Sequence, residues 1–127
     1  MSHTITLLRS KLHQARVTGA DLNYVGSITI DADLLAQAGI YAWERVLVVD
    51  IENGARFETY TIPGEPGSRT VQLNGGAARL VSVGDRLVVM AFAQVPAPPP
   101  ADWQPRVLVL DEHNRVTSVE MEGRFPG

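Results

Sequence analysis

Arg45-Val-Leu-Val-Val-Asp-Ile51, then Glu52-Asn53-Gly54, then Arg56-Phe-Glu-Thr-Tyr-Thr-Ile62 is the stretch whose reading decides the fold. Two runs rich in β-branched and aromatic residues flank a turn signal, and such side chains suit a pleated, half-buried surface. Asn-Gly supplies the positive φ angles of a tight hairpin, so the runs are expected to pair antiparallel. Outward from this hairpin, similar runs recur at residues 4–17, 27–30, 70–73, 86–95, 106–110 and 116–120. With 45–51 and 56–62 they make the pattern of a mainly β chain, a small barrel or sandwich. A short helix is expected over Ala32–Ala38. Asp31 can accept from its free N–H groups, Leu34, Leu35 and Ala38 share one side, and Gly39 suits its stop. A second helical turn is expected after Asn74-Gly75-Gly76, where Ala77 and Ala78 favour helix and the glycines oppose it. Val95-Pro-Ala-Pro-Pro-Pro-Ala101 is expected to be an extended surface connector, because its prolines donate no backbone hydrogen bonds.

The 127 residues, 45% of them apolar, fit a single domain spanning 1–127. The chain has no cysteine, which removes disulfides, thiolate metal sites and a cysteine nucleophile and agrees with a cytoplasmic setting. The amino-terminal apolar run is broken by Arg9, Ser10, Lys11 and His13, so no export signal is expected. No run approaches the roughly 20 apolar residues that span a bilayer, which argues against a membrane role. A net charge of −3 with scattered Lys and Arg argues against nucleic acid and for a small-molecule partner. His3, His13 and His113 lie far apart in sequence, so no metal site is expected. Gly64-Glu-Pro-Gly67-Ser68 lacks the ending of a phosphate-binding loop and is expected to be a turn, and Asp111-Glu-His-Asn114 a loop.

The most informative residues lie near the amino terminus: Lys11-Leu-His13, then Ala20-Asp-Leu-Asn-Tyr24-Val-Gly26-Ser27-Ile-Thr-Ile-Asp31. In order after them come Asn53-Gly54-x-Arg56-Phe57-x-Thr59-Tyr60, Gly67-Ser68-Arg69, Asn74-Gly75 and Val83-Gly84-Asp85. Over roughly residues 7–92 this series resembles the pyruvoyl-dependent aspartate decarboxylases, in which a Lys-x-His strand precedes a Tyr-x-Gly-Ser cleavage motif. Gly67-Ser68 is a second Gly-Ser pair without that company, and no cleavage is expected there. The resemblance implies a double-psi β barrel with one or two short helices, a homotetramer with sites between subunits, and a chain cut into residues 1–26 and 27–127.

The implied maturation is an intramolecular acyl transfer in which the Ser27 hydroxyl attacks the Gly26 carbonyl. β-Elimination then releases the Gly26 carboxylate, and hydrolysis of the dehydroalanine leaves a pyruvoyl group in place of Ser27. Gly26 suits such a site, since glycine permits unusual backbone angles and close approach. The pyruvoyl ketone would form a Schiff base with a substrate amine and act as electron sink, without a metal. The implied reaction converts L-aspartate to β-alanine and CO2 for pantothenate and coenzyme A synthesis.

By the same resemblance Thr59 would hold the Gly26 carbonyl during cleavage and Tyr60 would donate a proton after decarboxylation. As strand neighbours the two should point to opposite faces. Arg56, whose planar fork can grip a carboxylate, and Lys11 would bind substrate, with Asn74, Gly75, Gly76 and Ala77 beside them. His13, on the same strand face as Lys11, and Tyr24 would play supporting roles. Taken singly, each of these residues fits an ordinary strand, turn or core position equally well. Asn23, Pro66 and Arg79 stand where His, Arg and His are common in the family, and Val49 where some members have Trp. Asn23 and Arg79 motivate a second reading, a decarboxylase for another acidic amino acid, and a third is a barrel that keeps the fold but is never processed.

Overall fold

The structure, a computed structural model, describes residues 3–120. Its elements are β1 (Thr4–Arg16), β2 (Gly19–Asp21), β3 (Ser27–Asp31), α1 (Ala32–Ala38), β4 (Arg45–Asp50), β5 (Arg56–Gly64), β6 (Val71–Asn74), a 3-10 helix (Gly75–Leu80), β7 (Arg86–Pro96), β8 (Arg106–Leu110) and β9 (Val116–Glu120). The strand order is β2-β6-β3-β5-β4-β7-β1-β8-β9. After Arg16 the chain turns across the barrel. Val17 N–H reaches the Asp85 carbonyl at 2.9 Å and Thr18 N–H the Val71 carbonyl at 2.8 Å, and β2 runs on parallel to β6. Since β1 lies on β7 and its continuation on β6, the ring β6-β3-β5-β4-β7-β1 closes and leaves no open edge within it. β8 and β9 form a hairpin added outside β1. The fold is a small, mainly β barrel with two short helices, as the sequence led one to expect.

Alternation along the strands separates core from wall. Leu12, Ile28, Ile30, Val46, Val48, Leu73, Leu87 and Val89 point inward and are at most 1% exposed. Burying each of the larger ones is worth about 1.5–3 kcal/mol. Their strand neighbours Lys11, His13, Thr29, Val49 and Gln72 consequently stand on the outer wall.

The hairpin forms with antiparallel register Val49↔Arg56 to Arg45↔Tyr60. Its turn differs from the expectation. Only Gly54 takes a positive φ, +77°, and Asp50 N–H bonds to the Ala55 carbonyl across a longer loop. The Asn53 side chain instead serves the loop, accepting from Ala55 N–H and donating to the Leu80 carbonyl at the end of the 3-10 helix. Helix α1 begins and ends as expected. Asp31 caps it through Asp33 N–H and also accepts from Gly67 and Arg69 N–H, tying the start of β6 to the end of β3.

Three further expectations are corrected. The first run ends at Arg16 rather than at residue 17, and β2 was not expected: its three residues owe their strand conformation to β6, not to their own pattern. Val95 and Pro96 belong to β7 and pair with Ile5 and Thr4, so the connector begins only beyond them. The Asp111–Asn114 segment is a loop, yet Asn114 is buried and bonds to Arg16 N–H and to the Arg16 and Arg69 carbonyls. No helix among the described residues is long and apolar enough to cross a membrane.

Candidate active site

β3 and β6 pair antiparallel with Ser27 opposite Asn74, so the register alone sets these two side chains together. Both are fully buried although they stand on the wall side of their strands. Ser27 Oγ donates to the Val25 carbonyl at 3.0 Å and accepts from Asn74 Nδ2 at 2.9 Å. The same Asn74 nitrogen donates to Thr29 Oγ1 at 2.9 Å, and Asn74 Oδ1 accepts from Gln72 Nε2 at 2.8 Å. A hydroxyl held at both its proton and its lone pair has one orientation, which is what an intramolecular attack on the preceding carbonyl requires.

The glycine that this corner demands is Gly75. Its φ is +66°, and a Cβ there would lie 2.7 Å from Gly26 Cα, 2.8 Å from Gly26 N and 3.0 Å from the Tyr24 carbonyl oxygen. Gly26 itself has neither a left-handed φ nor any atom within 4 Å of where its Cβ would be. The reason given from sequence for Gly26 is therefore corrected: the close approach is real, but the residue on the other side of it must be the small one. Gly76 is open, and Ala77 packs against the core rather than facing the corner.

β3 also pairs with β5, in parallel, from Ile28↔Thr61 to Asp31↔Gly64. The pairing begins at Ile28↔Thr61, so Tyr60 and Thr59 immediately precede the first paired residue of β5, as Ser27 and Gly26 precede that of β3. Thr59 pairs with the buried Val46 and Tyr60 with the exposed Arg45, so the two face opposite sides. The Tyr60 ring stacks on Trp43, centroids 5.8 Å apart and planes 20° from parallel. Trp43 is 70% exposed, and Tyr24 and Val25 on the loop before Ser27 are 50% and 70% exposed.

The remaining expected residues lie elsewhere on the wall. Arg56 pairs with Val49, Val49 with Val88 and Val88 with His13, a single row across β5, β4, β7 and β1. Lys11 stands one step along the same face, opposite Met90. Burial lowers the pKa of Lys11; burial first, then the charges of Lys11 and Arg86, lowers that of His13. His13 is consequently neutral near pH 7. This face carries Arg56 and Lys11, cations suited to carboxylates, and Arg56, although on β5 beside β3, lies five residues before Thr61, the partner of Ile28, and so toward the far end of the strand from Ser27.

The profile of the aspartate decarboxylase family matches residues 3–117. The chain belongs to that family. It is 49% identical over 116 residues to a Carboxydothermus hydrogenoformans protein named aspartate 1-decarboxylase, with 91% of each chain covered. It is 54% identical over 113 residues to one of the same name from Ruminiclostridium cellulolyticum, covering 89% of this chain and 88% of the relative. For one from Neisseria meningitidis the identity is 52% over 114 residues, 90% of each.

Against the aspartate decarboxylase pattern, the four departures fall in different places. Asn23 is on the exposed loop before Ser27, its N–H bonded to Asp21 Oδ1 at 3.0 Å. Pro66 occupies the first corner of the turn closed by Ser68 N–H on the Glu65 carbonyl, where its fixed φ is favourable. Arg79 is exposed on the 3-10 helix, three residues from Gly76 and so above it. Val49 sits between Arg56 and Val88 in the row that runs to His13, a plain aliphatic strand position. Sequence reading overlooked Gln72 and Thr29. The alternation Val71-Gln72-Leu73-Asn74 against Ser27-Ile28-Thr29-Ile30 was the available signal, since it places all four polar side chains on one face.

Proposed function

We propose that this chain cuts itself between Gly26 and Ser27 and, as the fragments 1–26 and 27–127, decarboxylates L-aspartate to β-alanine and CO2. In the family this reaction serves pantothenate and coenzyme A synthesis, and we place it in the cytoplasm. The observation that carries the proposal is the Ser27 hydroxyl clamped by Val25 and Asn74 where Gly75 lies against Gly26.

Ser27 Oγ attacks the Gly26 carbonyl carbon, the amide C–N bond breaks, and the hydroxyl proton passes to the freed nitrogen, leaving an ester. Removal of the Ser27 Cα proton expels Oγ from Cβ as part of the Gly26 carboxylate and leaves dehydroalanine. Its imine tautomer takes up one water and loses ammonia, giving the pyruvoyl group. The residues present fit formation of that group: Asn74 offers an N–H donor to Ser27 Oγ, the oxygen that would leave with the Gly26 carboxylate, while the ketone oxygen would come from water at the former Ser27 Cα. Pyruvoyl supplies an electron sink for the carbanion left by CO2. Thr59 holds the Gly26 carbonyl in cleavage, and Tyr60 returns the proton to the former α carbon. Arg56 and Lys11 bind the substrate carboxylates, and His13 and Tyr24 support them.

The two halves of the site meet when a second copy lays its cationic face on the cleavage loop. Exposed Leu22, Tyr24, Val25, Tyr41 and Trp43 around that loop support such a contact, since apolar surface of this kind marks association. We place these shared sites in the homotetramer that the family resemblance implies. No group of three or more potential metal ligands occurs among the described residues, and the proposed chemistry draws on none.

Intact-mass measurement of the purified chain tests the proposal, with a hydrazine probe for a carbonyl on the 27–127 fragment. The full-length mass persisting on long incubation, or activity surviving in Ser27→Ala, overturns it. A second reading, another acidic amino acid as substrate, draws on Asn23, which lacks a titrating ring, and on the charge of Arg79. Product assays with L-glutamate beside L-aspartate separate the two.

A further inference from the structure

A buried asparagine amide has two ends of nearly equal size, one a donor and one an acceptor, and only its partners decide which way round it lies. Asn74 is fully buried, and one end meets Ser27 Oγ and Thr29 Oγ1 while the other meets Gln72. Ser27 has a single proton and gives it to the Val25 carbonyl, so its oxygen needs a donor from Asn74. Gln72 presents its NH2 to Asn74, so the end facing Gln72 must be the carbonyl. Gln72 is seated in turn by Gly19, its partner on β2, where a Cβ would come 3.0 Å from Gln72 Oε1 and 3.4 Å from Gln72 Cγ.

We propose that Gln72 is a positioning residue for self-cleavage: it holds the Asn74 amide so that NH2, not C=O, faces Ser27 Oγ. The proposal deepens the self-processing reading and rests on it. The orientation matters at both stages. In the attack, Asn74 fixes Oγ while Val25 keeps the proton on the far side. In the elimination, the Cβ–Oγ bond breaks and Oγ gains negative charge as a carboxylate oxygen, which an N–H donor stabilises and a carbonyl oxygen repels. With the amide reversed, Oδ1 competes with Val25 for the Ser27 proton and the leaving oxygen has no donor. Gln72 touches no reacting atom, and its effect passes entirely through Asn74.

Gln72→Glu gives the decisive test, because an ionised carboxylate accepts only and draws the Asn74 NH2 toward itself, whereas a protonated carboxyl donates as glutamine does. The uncut chain is made by cell-free synthesis, transferred to buffers of different pH, and followed by intact mass. Near pH 8 the variant is expected to cleave roughly 10–100-fold more slowly than the native chain, the cost of one lost and one repelled hydrogen bond. The ratio of the two rates should recover as pH falls through the range of a glutamate carboxyl, about 4–5. Gln72→Met, similar in size and unable to donate, should be slow at every pH without that recovery. A Gln72→Glu rate that parallels the native chain at all pH values overturns the proposal. If Gln72→Glu does not fold, native-rate cleavage by Gln72→Met overturns it and slow cleavage supports it. A native chain that never cleaves would instead refute the self-processing reading, so the two failures are distinguishable.

Discussion

The Ser27 corner and the cationic face are assembled in different ways. In the first, strand register, one asparagine amide and one glycine bring every group together within a single chain. In the second, Arg56, His13 and Lys11 share a face but look outward from the wall, with Ser27 on another part of it. Under the proposed function such a chain would prepare itself alone and would need a second copy to complete its substrate site. Cutting and turnover should therefore be separable by mutation, and each prediction below tries that separation.

The largest effect is expected for Arg56→Ala. Loss of the bidentate carboxylate grip should lower kcat/KM by roughly 100–1,000-fold while the chain still cuts between Gly26 and Ser27. Steady-state kinetics and intact mass read the two halves separately. Co-expression with Ser27→Ala sharpens the comparison, because that variant keeps a sound cationic face and lacks only the reactive group. Recovery of activity in the mixed assembly shows one copy supplying each half, and failure of the mixture to recover would place both halves in one chain.

Gly75→Ala breaks the other side. Alanine at a φ of +66° is strained by about 1–2 kcal/mol, and its Cβ meets Gly26 backbone rather than a movable side chain. Cleavage should slow by roughly 100-fold, with a lowered Tm. Gly26→Ala is the contrasting variant: with open space and an ordinary φ, its uncut form should keep its Tm within about 2 °C. Equal destabilisation by both would show that the close approach of Gly75 to Gly26 does not hold in solution.

What the sequence made legible follows the same division. The hairpin and helix α1 were readable because their signals are local: Asn53-Gly54 between strand formers, Asp31 and Gly39 at either end of 32–38. The β barrel was readable from its recurring runs, but β2 was not, since three residues ending in Ala20 and Asp21 become strand only beside β6. Within the site, Ser27 and Asn74 were found through the resemblance, but their contact was not, because register between distant strands leaves no mark in either one alone. Asn74-Gly75 read as a turn by composition. The turn is there, and the same glycine also admits Gly26, a second demand that its neighbours in sequence do not reveal.

The smallest effect belongs to a third place, at the end of the barrel, that serves neither half. Asp50 is buried on the inner side of β4. Glu52 N–H bonds to its Oδ1 at 2.8 Å, and its other oxygen lies against the Asp85 carboxyl with no donor among the described residues. Burial first, then contact with Asp85, raises its pKa to about 6. The folded chain thus binds this proton more tightly than the unfolded chain. The stabilising contribution is complete below the unfolded value of 3.8 and is lost as pH rises through about 6. Asn at this position keeps the acceptor for Glu52 N–H and offers Asp85 a donor, so Asp50→Asn should raise stability above pH 6 by about 1–2 kcal/mol, or roughly 4–8 °C in Tm. The gain should vanish near pH 4. Arg86, paired with Glu52 beside it, already has a carboxylate partner and does not relieve Asp50. Because the Asp50 side chain lies on the inner side of β4, opposite to the row from Arg56 to His13 and away from Ser27, cleavage and turnover should match the native chain at equal folded concentration. A variant that gained stability and lost either activity would mean that the barrel end is coupled to one half of the site.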